Sequence, residues 1–259
     1  MLIKSISGIP EVCAIGKSGG EQLPENGESD IDVFVFCETI PSVRARKAAV
    51  DALNDIITSC DLSERAGKHW GVCDFVNMRG AEICCMYFTR DQMDGELHSV
   101  LTGERLNKED NYFYPTGRCA TFLSMYILCD PHEYIAATKK RLAHYPDELA
   151  GQLVEYHLDM LNDMEDIERA VARKDPLFYH FALDLSLDHL LQALFAMNKR
   201  YFPSRKRSVE YIGAFEKKPA DCEARLLRLI SLGGNAESVE QSYEILLSLS
   251  HEMNNLWRR

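Results

Sequence analysis

The sequence predicts an α/β N-terminal part followed by an all-α C-terminal part. Short apolar runs rich in β-branched and aromatic residues alternate with turns only in the first third of the chain. Residues 89–115 are richer in charged and turn-forming residues. Beyond Gly117, apolar positions recur at helical spacing, and Pro or Gly-Gly pairs interrupt them. We therefore predict domains over 1–92 and 117–259, with 93–116 as the linker.

The N-terminal elements follow from the residue patterns. Strands are predicted at 12–15, 31–37, 72–77 and 81–88. The last two are expected to meet at a turn around Arg79-Gly80. Apolar positions at helical spacing predict a helix over 42–60, and a short helix is expected near Leu97.

The C-terminal part is predicted to be helical throughout. The expected helices are 118–129, 131–144, 147–173, 176–198, 208–215, 219–232 and 236–259.

Composition limits the classes of partner. The chain has 259 residues and a net charge of −11, without a basic stripe, which argues against nucleic acid as a partner. The acidic surface favours a cationic small substrate or no charged partner at all. No apolar run approaches the roughly 20 residues that span a bilayer, so no membrane partner is expected. The N-terminus does not resemble a signal peptide, so we expect a cytoplasmic protein, as a monomer or homodimer.

The nine cysteines are interpreted as reduced thiols that behave as small apolar residues. None of them forms a C-x-x-C pair, and most fall inside apolar runs. Cys84 and Cys85 are adjacent, so on a strand they point to opposite faces and do not bind one metal together. A zinc site is therefore not expected.

The most informative segment is 16–36, GKSGGEQLPENGESDIDVFVF. Gly16, Ser18, Gly19 and Gly20 form a small turn, where missing side chains let the backbone approach a phosphate closely. Ser29, Asp30 and Asp32 then lead into an apolar strand. Strand residues two apart share a face, so the two carboxylates converge on one point. Magnesium is bound in this way, by one or two carboxylates together with substrate phosphates.

This segment resembles the signature of the DNA polymerase β-type nucleotidyltransferases. The likeness is greatest to the antibiotic adenylyltransferases, which modify aminoglycosides or lincosamides and also have a helical C-terminal half. The resemblance implies an N-terminal nucleotidyltransferase domain with a mixed sheet, with ATP as co-substrate and Mg²⁺ at Asp30 and Asp32. The serine of the family signature corresponds to Ser18, or its place is taken by Gly19. Gly16 and Ser29 complete the expected nucleotide contacts.

The resemblance also implies a third acid on a neighbouring strand, as metal ligand or catalytic base. It assigns that role to Glu82, although many relatives carry an aspartate two residues later, where this chain has Cys84. Glu82 and Cys84 share a face of the predicted strand. Asp74, on the preceding strand, is the alternative.

Two further sets of residues lie in the helical part. His180, Asp184 and Asp188 form a stripe along one helix, in which the two acids either face an amine-bearing acceptor or are solvated. A cation-rich segment follows and resembles the segment of relatives that reaches over the nucleotide. Lys206, with Arg200 as second choice, is therefore expected to neutralise the triphosphate.

The resulting expectation is a Mg²⁺-dependent nucleotidyltransferase that transfers an adenylyl group from ATP to a hydroxyl of a small molecule, such as an aminoglycoside. Two alternatives remain open. A protein or a tRNA is a different acceptor for the same chemistry. A nucleotide-binding module that retains the fold without catalysis is the other alternative.

Overall fold

The architecture is described from a computed structural model, which describes residues 1–23, 29–67, 69–108 and 113–258. Two compact units divide the chain. The first contains 1–100 and 118–144, and the second contains 101–117 and 145–259. The first unit thus includes residues 118–144, which were predicted to belong to the helical domain.

The first unit is a mixed sheet with helices. Its strands are β1 (Val12–Lys17), β2 (Ile31–Cys37), β3 (Ile57–Gly67), β4 (Gly71–Met78), β5 (Ala81–Thr89) and β6 (Tyr126–Cys129). Its helices are α1 (Leu2–Ile6), α2 (Val43–Asp51), α3 (Arg90–Leu101), α4 (Gly117–Ser124) and α5 (Tyr134–Leu142). Among the described residues, six strands form one sheet in the order β3-β4-β5-β2-β1-β6. Only β2 and β5 pair in parallel within that sheet; its other described pairings are antiparallel. The mixed sheet followed by helices confirms the predicted fold class.

The predicted strands are confirmed, and the β4–β5 hairpin turns where expected. Met78 pairs with Ala81, which leaves two residues in the loop. Arg79 and Gly80 have φ of 54° and 84°, as a two-residue hairpin turn of the primed type requires.

Three helix predictions were wrong in part. The helix predicted over 147–173 is divided into Asp147–Asn162 and Glu165–Arg173. The other two extend into residues that form strands. The helix predicted over 42–60 ends at Asp51, because the chain then enters β3, which pairs with β4. The helix predicted over 118–129 ends at Ser124, because Tyr126–Cys129 pair with β1 instead. These last two errors have the same cause, since backbone pairing with a distant strand overrides local periodicity.

The two faces of the sheet have separate cores. One face packs aliphatic residues, including Val33, Val35 and Cys85, with residues of α1 and α2. The other face is aromatic, and the ring of Phe36 lies 5.2 Å from that of Phe122 in α4. This ring stacking and the β1–β6 pairing explain why 118–144 belong to the first unit.

The second unit is helical. Its helices are α6 (Asp147–Asn162), α7 (Glu165–Arg173), α8 (Pro176–Met197), α9 (Ser208–Gly213), α10 (Cys222–Gly233) and α11 (Val239–Trp257). Helix α8 begins at Pro176, and the Asp175 side chain caps it by accepting from two backbone N–H groups. Its Tyr179 hydroxyl donates to Ser242 of α11 at 2.8 Å. No helix within the described residues is both long and apolar enough to cross a membrane.

The first unit contains a buried ion pair that stabilises the aliphatic face. Arg46 of α2 pairs with Asp74 of β4, and their side chains are 2% and 1% exposed. Arg46 also donates to the carbonyls of Ser63 and Pro41, and its guanidinium lies 5.3 Å from the ring centroid of Tyr87. The pair therefore joins α2 to β4 beneath the sheet.

We predict that Asp74→Ala lowers the free energy of unfolding by about 3–5 kcal/mol, because it leaves the buried Arg46 charge unpaired. Asp51→Ala breaks the exposed Lys47–Asp51 pair on the same helix and is the control, with an expected loss far smaller than that of Asp74→Ala. Urea unfolding measures both losses. The double variant Arg46→Met/Asp74→Leu should lose less than Asp74→Ala alone, and equal losses in all three variants would contradict the assignment.

The second unit contains a buried histidine pair. Nδ1 of His157 lies 2.9 Å from Nδ1 of His189, and Nε2 of His157 lies 3.1 Å from the carbonyl oxygen of Leu106. A carbonyl only accepts, so His157 Nε2 carries the proton and its Nδ1 accepts from His189. Burial and the neighbouring His189 lower the pKa of His157 to about 3.

We predict that stability falls as the pH decreases from about 6.5 towards 3. In this window the unfolded chain binds a proton at residue 157 and the folded chain does not, at a cost approaching 1.4 kcal/mol per pH unit. Urea midpoints measured at several pH values should decrease less steeply in His157→Gln than in the wild type. His251→Gln changes an exposed histidine and should keep the wild-type slope; identical slopes in all three proteins are the contradicting result.

Candidate functional site

Five residues of the first unit lie in one row across the aromatic face of the sheet. Asp32 of β2 is the register partner of Cys84 in β5, and Phe75 of β4 is the other partner of Cys84. Asp61 of β3 faces Phe75. The backbone N–H of Ser18 donates to the carbonyl of Asp32 at 3.0 Å. The row therefore continues to Ser18, the residue directly after β1. Cross-strand partners point to the same face, so we call these five residues the cross-sheet row.

The predicted acids lie where β2 and β5 begin. Asp30 directly precedes β2 and is exposed, whereas Asp32 is half-buried as the second residue of that strand. Glu82 is the exposed second residue of β5 and, two positions before Cys84, shares its face. Since these two strands are parallel, all three acids lie at the same end of the strands, which we call the polar edge of the sheet.

The donor set fits a cation that brings its own ligands. Within the described ranges, no three His, Cys, Asp or Glu side chains lie close enough to hold a metal by themselves. Mg²⁺ takes one or two protein carboxylates and completes its oxygen shell with water and substrate phosphates. Asp30 and Asp32 supply two carboxylates at the start of one strand, which is the number that such a site uses.

The alternative third acid lies on the wrong face. Asp74 is the register partner of Cys85, and neighbouring residues Cys84 and Cys85 point to opposite faces. Its carboxylate is held by Arg46 and accepts from the backbone N–H of Ser63. Asp74 is therefore part of the aliphatic side of the sheet and does not reach Asp32.

A thiol occupies the position directly opposite Asp32. The hydrogen bond with the Cys73 thiol, burial and the nearby Asp32 charge all raise the pKa of Cys84. A neutral thiol supplies no negative charge for a second cation at this position.

The glycine-rich turn is anchored at both ends. The Ser18 hydroxyl lies 3.4 Å from Oδ2 of Asp32. The buried Lys17 ammonium donates to the carbonyls of Gln22 at 2.7 Å and Ser18 at 3.3 Å. Gly19 and Gly20 have φ of 76° and 80°, and a Cβ at either position would meet no atom of the described residues within 4 Å. As far as those residues go, the turn is thus open above its backbone. Lys17, a lysine within an apolar strand, holds the turn in place, a role that was not predicted from the sequence.

Gly16 has a packing role that differs from the predicted phosphate contact. It is buried within β1, and a Cβ there would meet Met125 Sδ at 2.2 Å. Ser29 is exposed just before Asp30. The polar spacer between the turn and Ser29 includes 24–28, which lie outside the described residues.

The predicted residues of the helical part belong to the second unit. Lys206 and Arg200 are exposed there. Asp184 and Asp188 both pair with Arg205, and Asp188 also pairs with Lys108 and accepts from Tyr114 Oη at 2.6 Å. Asp188 is thus buried and paired within the chain, which fits neither of the two expectations, whereas Asp184 is exposed, as the solvated alternative requires.

Asp188 is ionised despite its burial. Burial raises the pKa of its carboxyl, but hydrogen bonds from Arg205, Lys108 and Tyr114 more than offset that effect and lower it. In the cation-rich segment after α8, Arg205 therefore pairs with the acids of that helix, whereas the neighbouring Lys206 is exposed.

The fold defined by this sheet and its helices is nucleotidyltransferase-like. It matches the crystal structure of a nucleotidyltransferase-like protein from Exiguobacterium sibiricum 255-15 with a TM-score of 0.51 and 11% sequence identity. The match covers 97% of this chain and 72% of that chain. At this identity the likeness shows the fold alone.

Sequence comparison adds one family match. Residues 114–207 match the family described as "Domain of unknown function (DUF4037)". The matched residues begin at Tyr114 and end at Arg207, so they include Arg118 and Asp188. No curated protein matches the chain.

Proposed function

We propose that this protein is a nucleotidyltransferase that transfers a nucleotidyl group from a nucleoside triphosphate to a hydroxyl acceptor. The observation that carries the proposal is the position of Asp32. Its carboxylate lies beside the hydroxyl of Ser18, at the base of an open glycine turn, with Asp30 and Glu82 at the same edge of the sheet. An open glycine turn beside carboxylates at the start of two parallel strands suits a metal-bound triphosphate.

The residues have distinct proposed roles. The backbone of Ser18, Gly19 and Gly20 holds the β- and γ-phosphates through its N–H groups. Asp30 and Asp32 would hold Mg²⁺, and the bound ion would supply positive charge to offset that of the triphosphate and of the leaving pyrophosphate.

The transfer itself is a substitution at the α-phosphorus. The acceptor oxygen forms a bond to that phosphorus, and the bond to the β-phosphate oxygen breaks, so pyrophosphate leaves. Glu82 takes the proton of the acceptor hydroxyl as the general base. From the resemblance, Ser29, Lys206 and Arg200 are proposed as further contacts of the nucleotide.

The nucleotide and the acceptor are inferred from the same resemblance. ATP is the proposed nucleotide, and an aminoglycoside-like small molecule is the proposed acceptor. The net charge of −11 supports a cationic acceptor over tRNA. All nine cysteines are free, which agrees with a reducing compartment such as the cytoplasm.

A nucleotide-binding module without catalysis is the second candidate. Cys84 supports this candidate, because the register partner of Asp32 on β5 is a thiol and not a third carboxylate. In that case ATP and Mg²⁺ still bind, but no pyrophosphate is released with any acceptor.

We predict that Asp30→Asn/Asp32→Asn abolishes Mg²⁺-dependent ATP binding and transfer, because both carboxylate charges at the turn are removed. Calorimetry with ATP and Mg²⁺ and a pyrophosphate-release assay measure the two losses. Asp51→Asn/Asp55→Asn removes the same charge from exposed positions away from the turn and is the matched control. Unchanged binding in the Asp30/Asp32 variant would exclude the proposed site.

We predict that Glu82→Gln keeps ATP binding but lowers kcat by about 10²–10⁴-fold, because the general base is lost. The same two assays separate the binding module from the enzyme. Pyrophosphate release by the wild type but not by Glu82→Gln supports catalysis. ATP binding without release by the wild type, across a panel of aminoglycoside acceptors, supports the second candidate.

A further inference from the structure

The cross-sheet row has a direction. The glycine-rich turn lies at its Ser18 end, where β1 ends, and Asp32 is next to it. Cys84, Phe75 and Asp61 continue the row on the opposite side of Asp32, one strand at a time. Neighbouring strands lie about 4.8 Å apart, so Phe75 lies about 10 Å from Asp32 along the row.

Nucleotidyl transfer is an in-line substitution, in which the attacking and leaving oxygens lie on opposite sides of the phosphorus. With the β- and γ-phosphates over the glycine turn, pyrophosphate leaves towards Ser18. With the α-phosphorus beside Asp32, the acceptor hydroxyl must then approach that phosphorus from the opposite direction. Along the row, that direction is the side of Phe75 and Asp61.

The residues on that side suit a ligand. Phe75 is 43% exposed. By contrast, Met86 of β5 and Phe34 of β2 are buried, although they lie on the same face, two residues beyond Cys84 and Asp32. Asp61 is an exposed carboxylate on the same face, beside the ring. An exposed aromatic ring next to a carboxylate offers an apolar surface to a ring face and a negative charge to an amine of the same molecule.

We propose that Phe75 and Asp61 form the acceptor subsite, in which Phe75 packs against a ring of the acceptor and Asp61 pairs with its ammonium group. This inference rests on the proposed function, because the acceptor approaches from the side of Phe75 only when the phosphates lie at the glycine turn. Neither residue touches the transferred phosphate, so both are positioning residues. A two-ring amino sugar is long enough to place a hydroxyl near Asp32 while its far ring covers Phe75.

Calorimetry tests the subsite without requiring turnover. The full chain is saturated with Mg²⁺ and an ATP analogue that has a methylene between the α- and β-phosphates, and is then titrated with kanamycin as the acceptor probe. Phe75→Ala and Asp61→Asn should each weaken kanamycin binding about tenfold, the scale of one aromatic or charged contact. Both variants should bind the analogue as the wild type does, and Phe75→Tyr, which keeps the ring, should bind kanamycin within about twofold of the wild type.

A charge-matched control excludes simple attraction of a cation to an acidic protein. Asp51→Asn removes an exposed carboxylate of α2, on the aliphatic side of the sheet, and should leave kanamycin binding unchanged. Equal weakening in Asp51→Asn and Asp61→Asn would overturn the subsite. Wild-type protein that binds the analogue but not kanamycin, or variants that bind kanamycin as the wild type does, would also overturn it and leave the proposed function standing.

Failure of the proposed function has a different signature. In that case the wild type does not bind the analogue in the presence of Mg²⁺. In transfer assays, Phe75→Ala should raise KM for kanamycin about tenfold with little change in kcat or in KM for ATP, whereas a structural defect would alter all three.

Discussion

The parallel pairing of β2 with β5 is the constraint on which the site depends. These strands are adjacent inside the sheet and are buried on both faces over most of their length. A slip of one residue would exchange Asp32 with Val33 and turn a carboxylate into the aliphatic core. Two-sided burial thus fixes the register, and the register places Asp32 opposite Cys84.

The same constraint explains why polar residues collect at one edge. Apolar side chains fill both faces from Val33 to Cys37 in β2 and from Ile83 to Phe88 in β5. The acids precede these runs, so they lie where both parallel strands begin and water has access. Antiparallel neighbours bring Ser18 from one side and Phe75 from the other to the same level of the sheet.

The face on which a carboxylate lies decides what it does. Asp74 and Asp32 are both aspartates on inner strands of the sheet, β4 and β2, which are separated by β5. Asp74 points to the aliphatic side, where a buried carboxylate requires a partner, and Arg46 provides it. Asp32 points to the opposite side at the polar edge, where the hydroxyl of Ser18 lies beside it and the glycine turn is open. In the second unit, Asp188 follows the Asp74 pattern, with Arg205 and Lys108 as its cations.

The sequence by itself determined the mixed class of fold, the strands at 31–37 and 81–88, and the candidate acids at their starts, because apolar runs and turn residues are local signals. Only the tertiary structure decided which residues are neighbours across strands. It excluded Asp74, gave Gly16 a packing role against Met125, and turned Tyr126–Cys129 into a strand. It also revealed Lys17 and Phe75, whose positions depend on pairing register and on hydrogen bonds to backbone atoms elsewhere in the chain. Register and face are set by long-range pairing and burial, which a linear pattern does not contain.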